Sequence, residues 1–331
     1  MLSIFSQANV RPPHVKLVSN QKLKTWKFAA NYVWKEKFTE DKAELGRWTK
    51  GELLELGPTF VKLGQIASTR GDLYPPEFIR ELESLQDNVP AFDYNLVKDK
   101  LNMDIFKSFE ETPFRSASIG QVHKAVLKNG KHVVVKLKRP GIYETMESDT
   151  NTVRKILKFF QTIGVDTGNS SDFVLNDSIE YLLGEADYLQ EVENAIKFKK
   201  AMKGVDWVKI PRVYKRYCTD EMIVMEYVPT EKITEVKNKK INKKKVCEAL
   251  VNSYVIQTMD AGLFHADPHP GNLGVSKNGK LVFYDFGLII DLSDELTEGF
   301  KDLFLCIINR DTKGIVNILI RLGVIVPTSS D

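Results

Sequence analysis

The stretch His265-Ala266-Asp267-Pro268-His269-Pro270-Gly271-Asn272, followed by Leu281-Val282-Phe283-Tyr284-Asp285-Phe286-Gly287, limits what this 331-residue chain can be more than any other part of it. An Asp, an Asn five positions on, and an Asp-Phe-Gly triplet closing an apolar run supply hard oxygen donors on successive loop segments. Moving a γ-phosphoryl group needs such a set, because Mg²⁺ takes oxygen ligands in octahedral geometry and offsets the charge on the phosphates. Asp285 and the side-chain oxygen of Asn272 are the candidate metal ligands. Asp267 is the candidate for orienting the attacking hydroxyl or water. Asp-Phe-Gly alone is a weak signal, since three common residues meet by chance. Its place eighteen residues after Asp267 gives it weight. The plain alternative makes Asp267 and Asn272 turn formers in a Pro/Gly-rich loop, and the upstream residues tell against it.

Those residues read as the other half of a kinase-type site. Gln121 to Leu127, then Asn129-Gly130, then His132 to Leu137 is a hairpin pattern with Asn-Gly at the turn. Val133-Val134-Val135-Lys136 ends that pattern in a lysine able to reach α- and β-phosphates. The preceding loop, Arg115 to Val122, stands where a kinase carries G-x-G-x-x-G-x-V, and it matches at Gly120 and Val122 only. Arg115 and Ala117 take the first two glycine places, and a Cβ there limits how closely backbone amides approach phosphates. The nucleotide is therefore expected to be held differently, by Ala117, Ser118, Gly120, Val122 and Lys136. Met222 to Val228 reads as a buried strand ended by Pro229, and its Glu226 and Val228 are assigned to the same nucleotide. Lys136 needs a carboxylate partner, and Gly184 to Asn194 offers Glu185, Asp187 and Glu191. Glu185 and Glu191 lie about 120° apart on a helix, so one of them faces the lysine. Lys62 and Gln65, three apart on an earlier helix, share a face, and two solvated side chains are the bland reading.

Together, Lys62-Leu63-Gly64-Gln65, Ala117-Ser118-Ile119-Gly120-Gln121-Val122-His123, Lys136 with Arg139-Pro140-Gly141, Glu185-Ala186-Asp187-Tyr188 and the two downstream stretches resemble the UbiB/AarF atypical kinases. The resemblance runs from about residue 45 to 305, in motif order. It implies that Lys62 and Gln65 form a K-x-G-Q motif on a helical N-terminal extension folded over the active site. Lys62 would pair with Glu185 and Asp187, and these four residues would be regulatory. Glu191 would partner Lys136, making Asp267, Lys136 and Glu191 the catalytic set. Ala117 would sit in the alanine-containing loop that replaces the glycine-rich one. ATP or ADP and Mg²⁺ are the implied cofactors. ATPase-type chemistry, linked to isoprenoid-quinone or membrane-lipid metabolism in bacteria, mitochondria or plastids, is the implied activity. A lipid or quinone-like molecule, a membrane surface and a biosynthetic enzyme complex are the implied partners. Arg115-Ser116 departs from relatives with further alanines in this loop.

The expected fold is α+β, a bilobal protein-kinase-like fold with that helical extension. Its expected segments are a basic 1–44 stretch, the 45–103 extension, a 104–229 N-terminal lobe with inserted helices and a short 230–331 C-terminal lobe. Residues from about Gln21 to Leu101 read as helical, with Leu53, Leu54, Leu56, Phe60, Leu63 and Ile66 at helical spacing. Pro75-Pro76 opens a further helix through Leu85, and another spans Val246 to Ala261. A net charge of +3 is too weak to argue for nucleic acid. Cys218, Cys247 and Cys306 form no C-x-x-C pair and read as reduced thiols. The run Ile315 to Val326 is broken by Asn317 and Arg321 and reads as a terminal amphipathic helix, not a membrane span. Six lysines between Lys237 and Lys245 read as a solvated face, with anionic lipid as the alternative.

The first 35 residues hold no Asp or Glu. They read either as an organelle transit segment or as a basic terminus. Ser68 to Pro75 and Gln86 to Pro90 resemble plastid and cyanobacterial members, so the expected location is peripheral to a plastid or mitochondrial membrane, or to a bacterial one. Forty-four residues follow Gly287 and include no Ala-Pro-Glu, which points away from a peptide-substrate platform. A true protein kinase and a nucleotide-binding scaffold without turnover are the rival readings.

Overall fold

The computed structural model describes residues 13–71, 73–86, 91–165, 171–268 and 270–325, with the side chains of the helices that begin at 13 and 171 described from 20 and 178 onward. Residues 1–12, 72, 87–90, 166–170, 269 and 326–331 therefore lie outside the described residues, which takes in the start of the acid-free N-terminal stretch and most of Gln86 to Pro90. The chain forms two compact units that do not follow chain order: 1–96 with 115–121 and 139–186, and 97–114 with 122–138 and 187–331.

The first unit is helical. Helix α1 (Pro13–Phe38) is followed by α2 (Lys42–Leu56), α3 (Pro58–Ala67) and α4 (Pro76–Glu83). Asp41 starts α2 by accepting hydrogen bonds from the amides of Ala43 and Glu44. The apolar stripe that reads as one helix from Leu53 to Ile66 is broken at Gly57-Pro58. Gly57 has φ 99°, a region closed to most side chains, and Pro58 then opens α3. Leu53, Leu56 and Phe60 enter the core with Phe78 and Leu82, while Leu54 faces outward. Gln21 of α1 donates to the Leu56 carbonyl at 2.5 Å, occupying an acceptor at the end of α2.

Helices α5 (Ile142–Thr162) and α6 (Ser171–Gly184) complete this unit, with the short strand β2 (Arg115–Ser116) and the loop after it. Helix does not continue to Leu101: residues 94–105 form three short 3₁₀ turns (Tyr94–Leu96, Lys98–Lys100, Met103–Ile105). Asp93 and Asn102 bond amides two residues on, an alternative to the helical ladder that sequence periodicity does not register.

Asp149 on α5 is buried, and burial raises its carboxyl from 3.8 to about 6, against the lowering effect of the Thr59 hydroxyl on α3. The folded state thus holds this proton more tightly than the unfolded chain, so stability falls as pH rises from about 4 to about 6 and is level above. Asp149→Asn is expected to raise stability at neutral pH by about 1–2 kcal/mol, with the gain vanishing near pH 4 in urea melts at both pH values.

The second unit carries the sheets. One runs β1 (Phe106–Phe109), β3 (Gly120–Leu127), β4 (His132–Lys138), β6 (Met222–Glu226) in spatial order, with β4 and β6 antiparallel. The β3–β4 turn closes through Leu127 N–H to the Lys131 carbonyl at 2.9 Å, with Gly130 at φ 81°. The expected Asn-Gly turn is thus formed. Helix α7 (Tyr188–Ala201) precedes a second sheet ordered β5 (Val208–Lys209), β10 (Leu281–Phe283), β9 (Leu273–Ser276), β7 (Thr230–Lys232). Strand β8 (Leu263–His265) pairs with β11 (Ile289–Asp291). Helix α8 (Lys243–Ile256) runs into a π turn, Gln257–Ala261, and α9 (Asp294–Ile308) and α10 (Thr312–Arg321) end the unit. Among the described residues no helix is long and apolar enough to cross a membrane.

Candidate active site

Alternation along β4 sends Val133, Val135 and Leu137 into the core and Lys136 to the other face. There the Lys136 ammonium lies 2.9 and 2.7 Å from the two carboxylate oxygens of Glu191 and 3.2 Å from Asp285 Oδ2. Burial by itself would lower the lysine, but the charges of Asp285 and Glu191 outweigh it and hold Lys136 well above its usual range. It is charged at any pH the protein meets. The Tyr188 ring lies beneath, its centroid 5.1 Å from the ammonium.

Glu191 reaches Lys136 because Asp187 caps α7, accepting the Gln190 amide at 2.9 Å. Three residues on, Asn194 donates to the Phe286 carbonyl at 2.9 Å, and Gln190 donates to the Asn194 amide oxygen. A turn further, Phe198 packs against Phe283, Phe286 and His265. One face of α7 therefore holds both the lysine strand and the Asp-Phe-Gly segment.

Asp285 is fixed at both ends. Its Oδ1 accepts the Gly287 amide at 3.0 Å, and its carbonyl accepts from His265 Nε2–H at 2.8 Å. The Asn272 amide donates to Asp267 Oδ2 at 2.8 Å, which turns its own side-chain oxygen away from Asp267. The Asn272 carbonyl accepts the Tyr284 amide at 3.0 Å, tying this loop to the residue before Asp285. Among the described residues no three His, Cys, Asp or Glu side chains gather to hold a metal by themselves. An all-oxygen set of Asp285 and Asn272 fits Mg²⁺ of the kind that enters with a nucleotide, whose phosphates and waters complete the shell.

Glu226, assigned to nucleotide, instead turns its carboxylate to Lys209 (2.7 and 2.9 Å) and the Arg212 amide. Burial would raise it, but those donors hold it below the usual carboxylate range. Glu226 is the last residue of β6, and Val228 follows two residues beyond it. Val122 lies on β3 of this unit.

The helical unit holds the remaining assigned residues. Ala117 N–H donates to the Gly120 carbonyl at 2.8 Å, Arg139 Nε–H to the buried Ser118 carbonyl at 3.0 Å, and Arg139 N–H to the Ile119 carbonyl. Ile119 is buried with Met146 and Leu182, so the loop is pinned in shape without a glycine-rich sequence. Lys62 pairs with Glu185 at 2.5 Å, both side chains largely buried, and lies over the Tyr181 ring. Gln65 donates to the Leu85 carbonyl at 2.9 Å. Gly64 is explained by packing: a Cβ there would stand 2.6 Å from Leu85 Cδ1 and 2.7 Å from Leu53 Cδ1, two buried side chains. Gly64→Ala is expected to cost about 1–3 kcal/mol in chemical denaturation.

The structure thus joins Lys136, Glu191 and Asp285, joins Asp267 with Asn272, and joins Lys62 with Glu185. Asp187 and Gln65 make local bonds of their own. Sequence reasoning named His265 and Asn194 only as parts of longer stretches, assigned neither a role, and did not name Phe198. The spacing Glu191, Asn194, Phe198 on a helix facing an Asp-Phe-Gly strand was the signal that could have found Asn194 and Phe198.

A model of the ABC1 atypical kinase-like domain matches residues 84–319. The chain is 37% identical over 318 residues to the protein sll1770 of Synechocystis sp., covering 92% of this chain and 54% of that protein. It is 35% identical over 313 residues to ACTIVITY OF BC1 COMPLEX KINASE 7, chloroplastic, of Arabidopsis thaliana, covering 92% and 45% respectively. The chain thus spans about half the length of the curated relatives it matches. Among solved structures it is similar to the Rv3197–erythromycin complex from Mycobacterium tuberculosis, with TM-score 0.57, 24% identity and coverage of 81% of this chain and 70% of that one. That likeness shows a shared fold; the family model makes this fold kinase-like, and it is α+β with helices at its N-terminal end. With a family model matching over two thirds of its length, the chain belongs to the ABC1 atypical kinase-like family, the UbiB/AarF kinases that its motifs resemble.

Proposed function

We propose that this protein binds Mg·ATP and carries out phosphoryl chemistry, either ATP hydrolysis or transfer to a small or lipid acceptor. The observation that carries the reading is the buried Lys136 held between Glu191 and Asp285. A lysine so placed offers one fixed positive charge to α- and β-phosphates, while Asp285 and Asn272 face the metal that accompanies them. Bound Mg²⁺ would offset charge on the phosphates. Asp267, steadied by Asn272, orients the nucleophile and takes its proton as the bond forms. Val122 and the backbone at Glu226 and Val228 complete the nucleotide set of the sheet-bearing unit.

Lys62, Gln65, Glu185 and Asp187 are proposed to regulate turnover. Glu185 is paired with Lys62, and two residues later Asp187 caps the helix that presents Glu191. The segments 45–103, 104–229 and 230–331 are proposed as extension, N-terminal lobe and C-terminal lobe. Support of isoprenoid-quinone or membrane-lipid metabolism, peripheral to a plastid membrane, is the proposed setting, favoured by the chloroplastic relatives.

Calorimetric titration with ATP and ADP, with and without Mg²⁺, tests the reading. Mg²⁺-dependent binding that is lost in Lys136→Ala supports it. Binding of neither nucleotide to the folded chain overturns it. Product analysis with radiolabelled ATP and isoprenoid lipid acceptors then separates hydrolysis from transfer.

A further inference from the structure

The basic N-terminal segment is in good part a folded helix, and its outer face has no role in the chemistry above. One side of α1 is used inward: Thr25 is buried, Phe28 stacks on Trp48 with centroids 5.7 Å apart, and Trp26 meets Phe159 of α5 edge-on. At 100° per residue, Leu23, Lys27, Ala30, Trp34 and Phe38 fall together on the opposite side, with Lys24 and Lys37 flanking them. Leu23 is 69% exposed, and Trp34 and Phe38 are 62% exposed each. The Trp34 and Phe38 rings lie 5.3 Å apart, so two large aromatic groups stand side by side on the surface. The stripe is about 22 Å long, at about 1.5 Å per residue between positions 23 and 38. Its charges are lysines. Glu36, the acidic residue of α1, is turned the other way and acts on Tyr32 and Tyr74.

Exposed Trp and Phe flanked by lysines, with no carboxylate among them, make a surface that suits the boundary between acyl chains and anionic headgroups. A protein partner able to cover the same stripe would need an acidic rim around an apolar groove. A second copy of this chain would bring lysines against lysines. We propose that the outer face of α1 docks this protein flat on an anionic lipid surface, with Trp34 and Phe38 entering the interface and Lys24, Lys27 and Lys37 meeting lipid phosphates. This names the surface for the membrane setting in the proposed function. Vesicle binding is read without nucleotide, so this inference and the phosphoryl chemistry can fail separately.

The full chain is mixed with vesicles of phosphatidylcholine alone, or of phosphatidylcholine with phosphatidylglycerol, some carrying bromine on the acyl chains. Binding to the anionic vesicles and quenching of tryptophan fluorescence by the brominated lipid are expected. Trp34→Phe should bind but lose most of the quenching. Lys27→Gln with Lys37→Gln should weaken binding to the anionic vesicles by about thirty-fold, at roughly tenfold per 1.4 kcal/mol and about 1 kcal/mol per lysine. Unchanged quenching in Trp34→Phe would overturn the proposal and move attention to other exposed apolar faces, such as that of α9 around Leu305 and Ile308. Equal binding to both vesicle types would overturn its electrostatic half. A dimer in sedimentation velocity that dissociates on Trp34→Ser with Phe38→Ser would assign the stripe to a second copy.

Discussion

Lys136→Met is expected to destabilise the sheet-bearing unit by about 3–5 kcal/mol and to abolish nucleotide turnover. The lysine sits against two carboxylates, and Glu191 is only 2% exposed. Removing the cation leaves Glu191 buried and charged where water cannot reach it to compensate, with the 36% exposed Asp285 beside it. The size of the effect comes from that stranded charge, not from the worth of the ion pair itself. Adding Glu191→Gln to Lys136→Met should therefore recover much of the lost stability while leaving turnover absent. Urea denaturation of the wild type, the single and the double variant measures both. A single variant within about 0.5 kcal/mol of the wild type would contradict the buried-triad geometry. The pH dependence follows in the same direction. A lysine raised in the folded state stabilises it at every pH below its unfolded value and loses that contribution only in strong alkali, so this site should be indifferent to pH near neutrality.

Phe198→Ala is expected to cost a similar amount, about 3–5 kcal/mol, through a different mechanism. Phe198 is fully buried, with Phe283, Phe286 and His265 all within 5.8 Å between ring centroids. Its loss leaves a cavity at the junction of α7, β8 and the Asp-Phe-Gly segment. His265 holds the Asp285 carbonyl and Asn194 holds the Phe286 carbonyl, so loosening this packing frees Asp285 as well. Thermal melting should show the loss of stability. Mg²⁺ affinity in the presence of nucleotide should fall with it, whereas Phe198→Leu, which refills most of the volume, should restore both in large part. A Phe198→Ala protein with wild-type melting would mean that the aromatic cluster is not the support described.

Much of the candidate site was readable in the sequence because its chemistry depends on residue type and order. Asp267, Asn272 and Asp285 lie within nineteen residues of each other, and the hairpin carrying Lys136 announces itself by alternation and an Asn-Gly turn. The partner of Lys136 was not settled by spacing, because Glu185 and Glu191 are both available. The structure separates them by placing Glu185 at the end of α6 against Lys62 and Glu191 in the first turn of α7 against Lys136. Glu226 was assigned to nucleotide from its place at a strand end. Its side chain is taken by Lys209, a pairing between strands distant in sequence that no local pattern encodes.

Helical periodicity carried the N-terminal helices well, yet ran on where the backbone does not. The break at Gly57-Pro58 was signalled by residue type, whereas the turns after Tyr94 arise from Asp93 and Asn102 bonding their own neighbours. The grouping of residues 139–186 with the N-terminal helices was invisible in the sequence, since it depends on which apolar faces meet.

Steady-state hydrolysis of Mg·ATP by the wild type, Asp285→Asn and Lys62→Ala decides whether this site carries out phosphoryl chemistry. Measurable turnover is expected in the wild type, with a loss of at least a hundredfold in Asp285→Asn, roughly the effect of removing one group that stabilises transition-state charge, and an altered rate in Lys62→Ala. Turnover in Asp285→Asn equal to that of the wild type, with both chains folded and binding nucleotide, would contradict phosphoryl chemistry at this site.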